Sequence, residues 1–481
     1  MQAAEGERWV SPLAERYAGA AMQRLFGARY RARLWRRLWL ALAECQQQLG
    51  LPITDAQLAE LRAHLDSCDL ERVRQLEAEL RHDVMAHLRH FGEQCPGARA
   101  IIHLGATSSF VTDNADLIVM REALELLRRG LLRLMRALAS LARRERARPC
   151  LALTHLQPAQ PTTVGKRFAL WLQDVWLDYE EITRTAAELP LRGAKGATGT
   201  QASFLELFGG EHAKVRRLEQ LLAERLGFAR VIPLAGQTYP RKLDHRVLAV
   251  LAGLAASLGK FATDVRLLQG LGELEEPFGE QQVGSSAMAH KRNPMLSERI
   301  GALARLVIQT APNAAHTAAT QWLERSLDDS ANRRLAIPEC FLASDAMVRY
   351  AAVVVEGLRI HSGAIAARLE AELPYLVLEP LIMAAVQAGG DRQELHERAR
   401  QHAMAARERQ RAEGGPPDLL ARLAADPAFA PLAGRFAELL DPARHVGRAP
   451  EQVEELLAEH IEPLLARDGH LAEPSPAGLP P

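Results

Sequence analysis

Apolar residues through the middle of the chain recur in steps of three and four. Leu124, Leu127, Leu131, Leu134, Leu138 and Leu141 make one stripe, and Phe168, Leu172, Val175, Tyr179 and Ile182 a second. Val247, Leu251, Leu254, Leu258, Phe261, Val265 and Leu268 make a third, and Leu296, Ile300, Leu303 and Val307 open a fourth. This period gathers apolar side chains on one face of a helix, and its persistence predicts long helices packed nearly parallel or antiparallel. Leu126, Leu132 and Met135 lie beside the first stripe. A helix apolar over so wide an arc buries more than one face, so the pattern predicts an all-α bundle that also packs against other subunits.

Proline and glycine divide the rest. Residues 1–107 read as an irregular N-terminal helical domain, broken by Pro52, Pro96 and Gly105, and residues 108–360 as the central long-helix bundle domain. Beyond Gly357 the pattern shortens, with breaks at Pro374, Pro380, Gly389-Gly390, Gly414-Gly415-Pro416-Pro417 and Pro442, which predicts a smaller C-terminal helical domain over 361–470. The proline-rich end, 471–481, cannot build a helix and is expected to be disordered.

Composition fits this picture. With 481 residues, 48% of them hydrophobic and only 5% aromatic, the chain can bury a large core and is poor in strand formers. A formal charge of +0 gives no reason to expect nucleic acid or an acidic membrane as partner. The five cysteines are scattered with no CxxC pair, which points to a reducing compartment. No secretory h-region opens the chain, and no apolar run reaches the roughly 18 residues that cross a bilayer, so the expected location is cytoplasmic.

Against this helical background a few polar segments stand out. Gly284-Ser285-Ser286-Ala287-Met288-Ala289-His290-Lys291-Arg292-Asn293-Pro294 has no packing reason to lie between long apolar helices and reads as a working loop. A neutral serine is a poor base, but Lys291 on the same loop and backbone N–H groups freed by Gly284 can stabilise its alkoxide. An ordinary Gly/Ser loop before a helix is the plain alternative. Thr154-His155-Leu156-Gln157-Pro158-Ala159-Gln160-Pro161-Thr162-Thr163 reads as a rigid polar turn. In Arg81-His82-Asp83-Val84-Met85-Ala86-His87 the two histidines are badly spaced for one helix face and lack a third ligand, so no metal is expected. Gly193, Gly196 and Gly199 are spaced GxxGxxG, without the preceding strand or following lysine of a nucleotide loop, so no bound cofactor is expected.

The Gly284–Pro294 string resembles the signature loop of the fumarase/aspartase superfamily. Together with RHDVMAH at 81–87, His103-Leu104-Gly105-Ala106-Thr107-Ser108-Ser109, and LDDSANRR at 327–334, it narrows the resemblance to the adenylosuccinate lyase family, especially its animal form, over about residues 9–465. The resemblance implies an all-α, fumarase/aspartase-like fold, and a cytoplasmic homotetramer whose active sites each draw on three subunits. It implies a carbon–nitrogen lyase that releases fumarate from adenylosuccinate and from succinyl-aminoimidazole-carboxamide ribotide. Such an elimination needs a base, an acid, and donors around carboxylates that gain charge. By resemblance Ser285 is the base, and His155 is the acid, partnered by Glu298. His82 assists, and Lys291 and Asn293 hold a substrate carboxylate. Thr107 and Ser108 match positions that bind the succinyl carboxylates. Arg16, Tyr17, Arg81, Asp83, Gln237, Arg299, Arg325, Ser330 and Arg334 match further substrate positions. Of these, Arg16, Ser330 and Arg334 have the chemistry for phosphate. The family loop usually has proline where this chain has Ala289, and His290 adds a titrating group there. Two other readings stand beside the lead: another fumarate-releasing superfamily member, and a catalytically silent helical scaffold.

Overall fold

The computed structural model describes residues 9–473 other than 285, 289 and 433, with all their side chains except that of Ala437. Five long helices form its centre: α1 (Ser108–Arg144), α2 (Val164–Glu188), α3 (Lys242–Gly270), α4 (Met295–Thr310) and α5 (Asp329–Gly357). Every residue of the four sequence stripes is buried. α1 packs along α2 and α5, α3 along α2, α4 and α5, and α4 along α5. The all-α bundle of long helices is therefore the observed architecture.

The fifth helix left no stripe because it has no exposed face over its middle. Residues Cys340 to Val348 are buried without a break. A helix apolar all round shows no amphipathic period. Its first turns carry Pro338, whose missing N–H the helix tolerates.

α2 begins pressed against the end of α1. The Val164 N–H donates to Arg148 O and the Gly165 N–H to Glu145 O, both at 2.9 Å. A Cβ at Gly165 would lie 2.4 Å from Ala142 O and 2.5 Å from the Arg146 backbone. Between these helices runs an antiparallel hairpin, β1 (Pro149–Thr154) with β2 (Gln157–Thr163). A second small pair, β3 (Leu274–Glu275) with β4 (Arg359–Ile360), ties the segment after α3 to the one after α5.

Helices from the first hundred residues, among them Ala28–Gln48 and Asp83–Gln94, share the core of the bundle, with Trp39 and Phe91 contributing. A separate apolar cluster, including Leu369, Leu381, Leu395, Leu419 and Phe429, holds the helices after β4. Val453, Leu457, Ile461 and Leu464 return to the main core.

Two sequence expectations are adjusted. α3 is long and apolar enough by length and composition to cross a membrane, contrary to the run-length reading. Its apolar positions from Val247 to Leu268 are spent on the bundle core instead. Residues 471–473, the start of the end expected to be disordered, are ordered: Leu471 closes a 3-10 turn and the Glu473 N–H donates to Arg129 O at 3.3 Å. Residues 474–481 lie outside the described residues.

Candidate active site

Local sequence places the first polar groups. The helix Leu70–Leu80 ends on Arg81, whose φ of 50° turns the chain sharply. His82 then takes the N-cap position of Asp83–Gln94, its Nδ1 accepting from the Met85 N–H at 3.4 Å. An accepting Nδ1 leaves the proton of the neutral ring on Nε2, which lies 3.5 Å from Ser108 Oγ. Ser108 opens α1, and Thr107 is its N-cap residue without spending its hydroxyl on the helix. Both hydroxyls therefore stay available to a ligand.

These groups face a cavity of about 630 Å³, within the size range of small-molecule sites. His82, Asp83, Thr107, Ser108, Gln237, Arg325, Ser330 and Arg334, eight of the residues expected from sequence, line it. Arg334 Nη2 donates to Asp83 Oδ2 at 2.8 Å. Burial pushes the Asp83 carboxyl up, but the Val84 N–H and the Arg334 guanidinium outweigh it and hold the group below the usual carboxylate range. It is a fixed negative charge that orients Arg334.

The far side of the cavity rests on a buried ionic lattice that the sequence reading did not anticipate. Arg241 donates to Asp329 Oδ2 at 2.7 Å and forks onto Asp113 at 3.2 and 3.3 Å. Arg325 meets Asp329 at 2.9 Å, and Arg333 meets Asp244 at 2.6 Å and Asp116 at 2.9 Å. Asp113, Asp116, Arg241, Asp329 and Arg333 also line the cavity. Charges this deep persist only when paired, so the lattice fixes Arg325 and the start of α5. No local signal marks it, because α1 carries many other charged residues among which Asp113 and Asp116 do not stand out. The glycine loop at 193–199 has a supporting part: Arg192, fully buried, donates to Gln237 O at 3.0 Å and to Gly196 O at 3.1 Å. It thereby holds Gln237 against the cavity.

The remaining expected residues lie elsewhere on the chain. His155 and Leu156 are the tip of the β1–β2 hairpin, with φ of 55° and 57°. Two central residues at positive φ make the turn that best suits strand twist, normally at the cost of glycine or asparagine. A histidine held there is strained backbone of the kind that collects at functional sites. Ser285 and Ala289 lie outside the described residues. In the described part of their loop, Asn293 Nδ2 donates to Gly284 O at 2.9 Å, and the Lys291 N–H donates to Met288 O at 3.0 Å. Glu298 and Arg299 sit in the first turns of α4. Arg16 and Tyr17 lie in the short helix Leu13–Tyr17, and Tyr17, Arg299 and Arg349 all act on the buried Tyr350. None of Arg16, Tyr17, Arg81, His155, Lys291, Asn293, Glu298 or Arg299 is among the residues lining the cavity. Within one chain, then, eight of the expected residues share the cavity and eight others do not line it.

A bundle of long helices with polar loops and a charged cavity at its helix ends defines a lyase of the fumarase/aspartase type, and residues 31–308 match the family model described as lyase. The solved fumarate lyase from Mesorhizobium sp. BNC1 superposes with a TM-score of 0.79 at 25% identity, over 92% of this chain and 98% of that one. The 3-carboxy-cis,cis-muconate lactonizing enzyme from Pseudomonas putida gives 0.82 at 24% identity, over 94% and 99%, and shares the fold. Residues 374–456 match the model for the adenylosuccinate lyase C-terminus. The chain is 46% identical over 461 residues to adenylosuccinate lyase of Schizosaccharomyces pombe, covering 95% of this chain and 96% of that one. It is 45% identical over 463 residues to that of Schistosoma mansoni, covering 96% of both. The chain belongs to the adenylosuccinate lyase family.

Proposed function

We propose that the chain eliminates fumarate from adenylosuccinate, giving AMP, and from succinyl-aminoimidazole-carboxamide ribotide, giving the carboxamide ribotide. The observation that carries this reading, beside family membership, is the cavity that gathers hydroxyls, a histidine and arginines from four distant parts of the chain. Thr107 and Ser108 bind the succinyl carboxylates, and His82 assists the acid–base work beside them. Ser330 and Arg334, with Arg16, take the phosphate, whose two charges suit an arginine fork and hydroxyls. Gln237 and Arg325 contact the rest of the nucleotide, as do Tyr17, Arg81, Asp83 and Arg299.

In the reaction Ser285 takes the proton from the carbon next to a carboxylate. Charge then builds on that carboxylate, where Lys291 and Asn293 stabilise it. His155, partnered by Glu298, delivers a proton to the departing nitrogen as the carbon–nitrogen bond breaks. Fumarate and the amine product leave with no net change in protons bound to the protein once both groups are reset. No metal or cofactor is needed for these steps.

The expected residues that do not line the cavity of one chain support a homotetramer in which each site is completed by neighbouring subunits, with the long helices as its shared bundle. The enzyme works in the cytoplasm. We assign the chain three helical parts, 1–107, 108–360 and 361–470, around that bundle.

The test is a spectrophotometric assay of the purified protein with adenylosuccinate beside the Ser285→Ala variant. Conversion to AMP by the parent and a loss of at least about a thousandfold in the variant are expected. A parent that assembles but turns over neither nucleotide would replace this reading with the silent scaffold.

A further inference from the structure

The serine loop leaves the bundle after β3 and rejoins it at α4, and its two roots are bound to one another. Glu276, at the first root, is 3% exposed. Its Oε1 accepts from the Leu296 N–H at 2.8 Å, and its Oε2 accepts from the Ser297 N–H at 3.0 Å and the Ser297 hydroxyl at 2.9 Å. Leu296 and Ser297 belong to the first turn of α4, where backbone N–H groups have no partner within the helix. The Pro294 N-cap residue supplies no side-chain acceptor. A carboxylate from across the loop does so instead, at the helix end that favours negative charge.

A second strut runs beside the first. The Glu276 N–H donates to Gln269 Oε1 at 3.1 Å, and Gln269 Nε2 donates to Arg292 O at 3.0 Å. Arg292 in turn pairs with Glu275 at 2.6 Å. Further along, a Cβ on Gly284 would lie 2.1 Å from Lys291 O, so the loop closes on itself at a neck only glycine allows. Neither Glu276 nor Gln269 is used in the chemistry above, yet both fix the stretch that carries Lys291, Asn293 and Glu298.

We infer that Glu276 is a positioning residue for the lyase reaction: with Gln269 it clips the two roots of the serine loop together, and it fills the N-terminus of α4. The second effect bears on specificity. A helix N-terminus beside the reacting centre would otherwise compete for a substrate carboxylate. With its Leu296 and Ser297 donors taken by Glu276, substrate carboxylate is left to Lys291 and Asn293. Burial pushes the Glu276 carboxyl upward, and the Leu296 and Ser297 donors only partly offset that. Protonation would turn an acceptor into a donor facing N–H groups and open the clip.

This inference rests on the proposed elimination, and the experiment separates the two. Glu276→Gln keeps the size but turns an NH₂ toward N–H donors. The expected result is a fall in kcat of about ten- to a hundredfold with KM for adenylosuccinate changed less than about threefold, the signature of misplaced catalytic groups. Hydrogen exchange of the full-length protein should speed up at Leu296 and Ser297 and stay unchanged through α1. Should the parent prove inactive on adenylosuccinate, the function falls while the exchange at Leu296 and Ser297 still tests the clip. Parent-like kcat with unchanged exchange there overturns the inference. So does exchange that rises equally through α1, which would make Glu276 a general element of the fold. If Glu276→Gln does not fold, Gln269→Ala decides: a smaller fall in kcat with faster exchange from Arg292 to Ser297 supports the clip, and parent-like values of both overturn it.

Discussion

Asp178 shows how far one buried carboxyl can depart from its solution behaviour. It lies in α2, near Gly253 of α3, and its Oδ2 has no hydrogen-bond partner. Burial raises its pKa from 3.8 to about 7, Asp174 adds to the rise, and the Ser257 hydroxyl opposes it. The folded chain therefore holds a proton that the unfolded chain releases. Above about pH 7 the ionised group costs stability, and that cost is relieved as pH falls from 7 towards 4. Asp178→Asn removes a charge the bundle does not solvate. We expect it to raise stability by about 1–3 kcal/mol at pH 8.5 and by much less at pH 5, below the ceiling set by the full shift. Thermal midpoints at the two pH values check this, and an equal gain at both would sink the assignment. Residues of this kind were not legible in the sequence. His82, Thr107, Ser108, Ser330 and Arg334 were named through the family motifs they stand in, and the structure brings them to one cavity. Asp113, Arg241 and Asp329 were not, because their meaning is a three-way pairing between residues 88 and 128 positions apart, and no local pattern carries that.

At the scale of elements, the chain is organised by where helices can approach. Four bundle helices were readable because each keeps one apolar face, while α5 was hidden by burial on all sides and the β1–β2 hairpin by its three prolines. One very close approach is at Gly165, where α2 starts against the end of α1. Alanine normally gains about 0.5–1 kcal/mol over glycine inside a helix. Here its Cβ would meet Ala142 O at 2.4 Å and backbone atoms of Arg146 at 2.5 Å. None of these can rotate away, so the helices must separate. Gly165→Ala should destabilise the protein by about 2–4 kcal/mol, in the range of overpacked sites. Gly363, near the start of a C-terminal helix with nothing within 4 Å of its Cβ position, is the control. Gly363→Ala should be neutral or slightly stabilising. A Gly165→Ala protein that melts with the parent would mean the junction yields at no cost.

For the whole molecule, the decisive observation is that the cavity holds only part of the expected set of residues. His82, Thr107, Ser108, Ser330 and Arg334 line the cavity, while His155 stands on an exposed hairpin tip and Lys291 on a loop at the other root of α4. In the proposed homotetramer, copies of the chain bring these groups together. The bundle helices expose Leu170, Leu177, Leu267, Leu306 and Ile308, apolar side chains of the sort that a symmetric assembly covers. If the proposed tetramer builds each site from several subunits, two inactive variants should rescue one another. His82→Ala removes a group from the cavity and Ser285→Ala a group from the loop. After dissociation and reassembly of an equal mixture, each site draws its cavity and its loop from different chains. Each part is intact with a probability of one half. Activity should then return to about a quarter of the parent value. The same variants carried on a single chain should recover nothing when mixed with themselves. Mass spectrometry of the mixture shows whether hybrids formed. Hybrids without activity would place the whole site in one subunit and would require His155 and the serine loop to reach the cavity of their own chain.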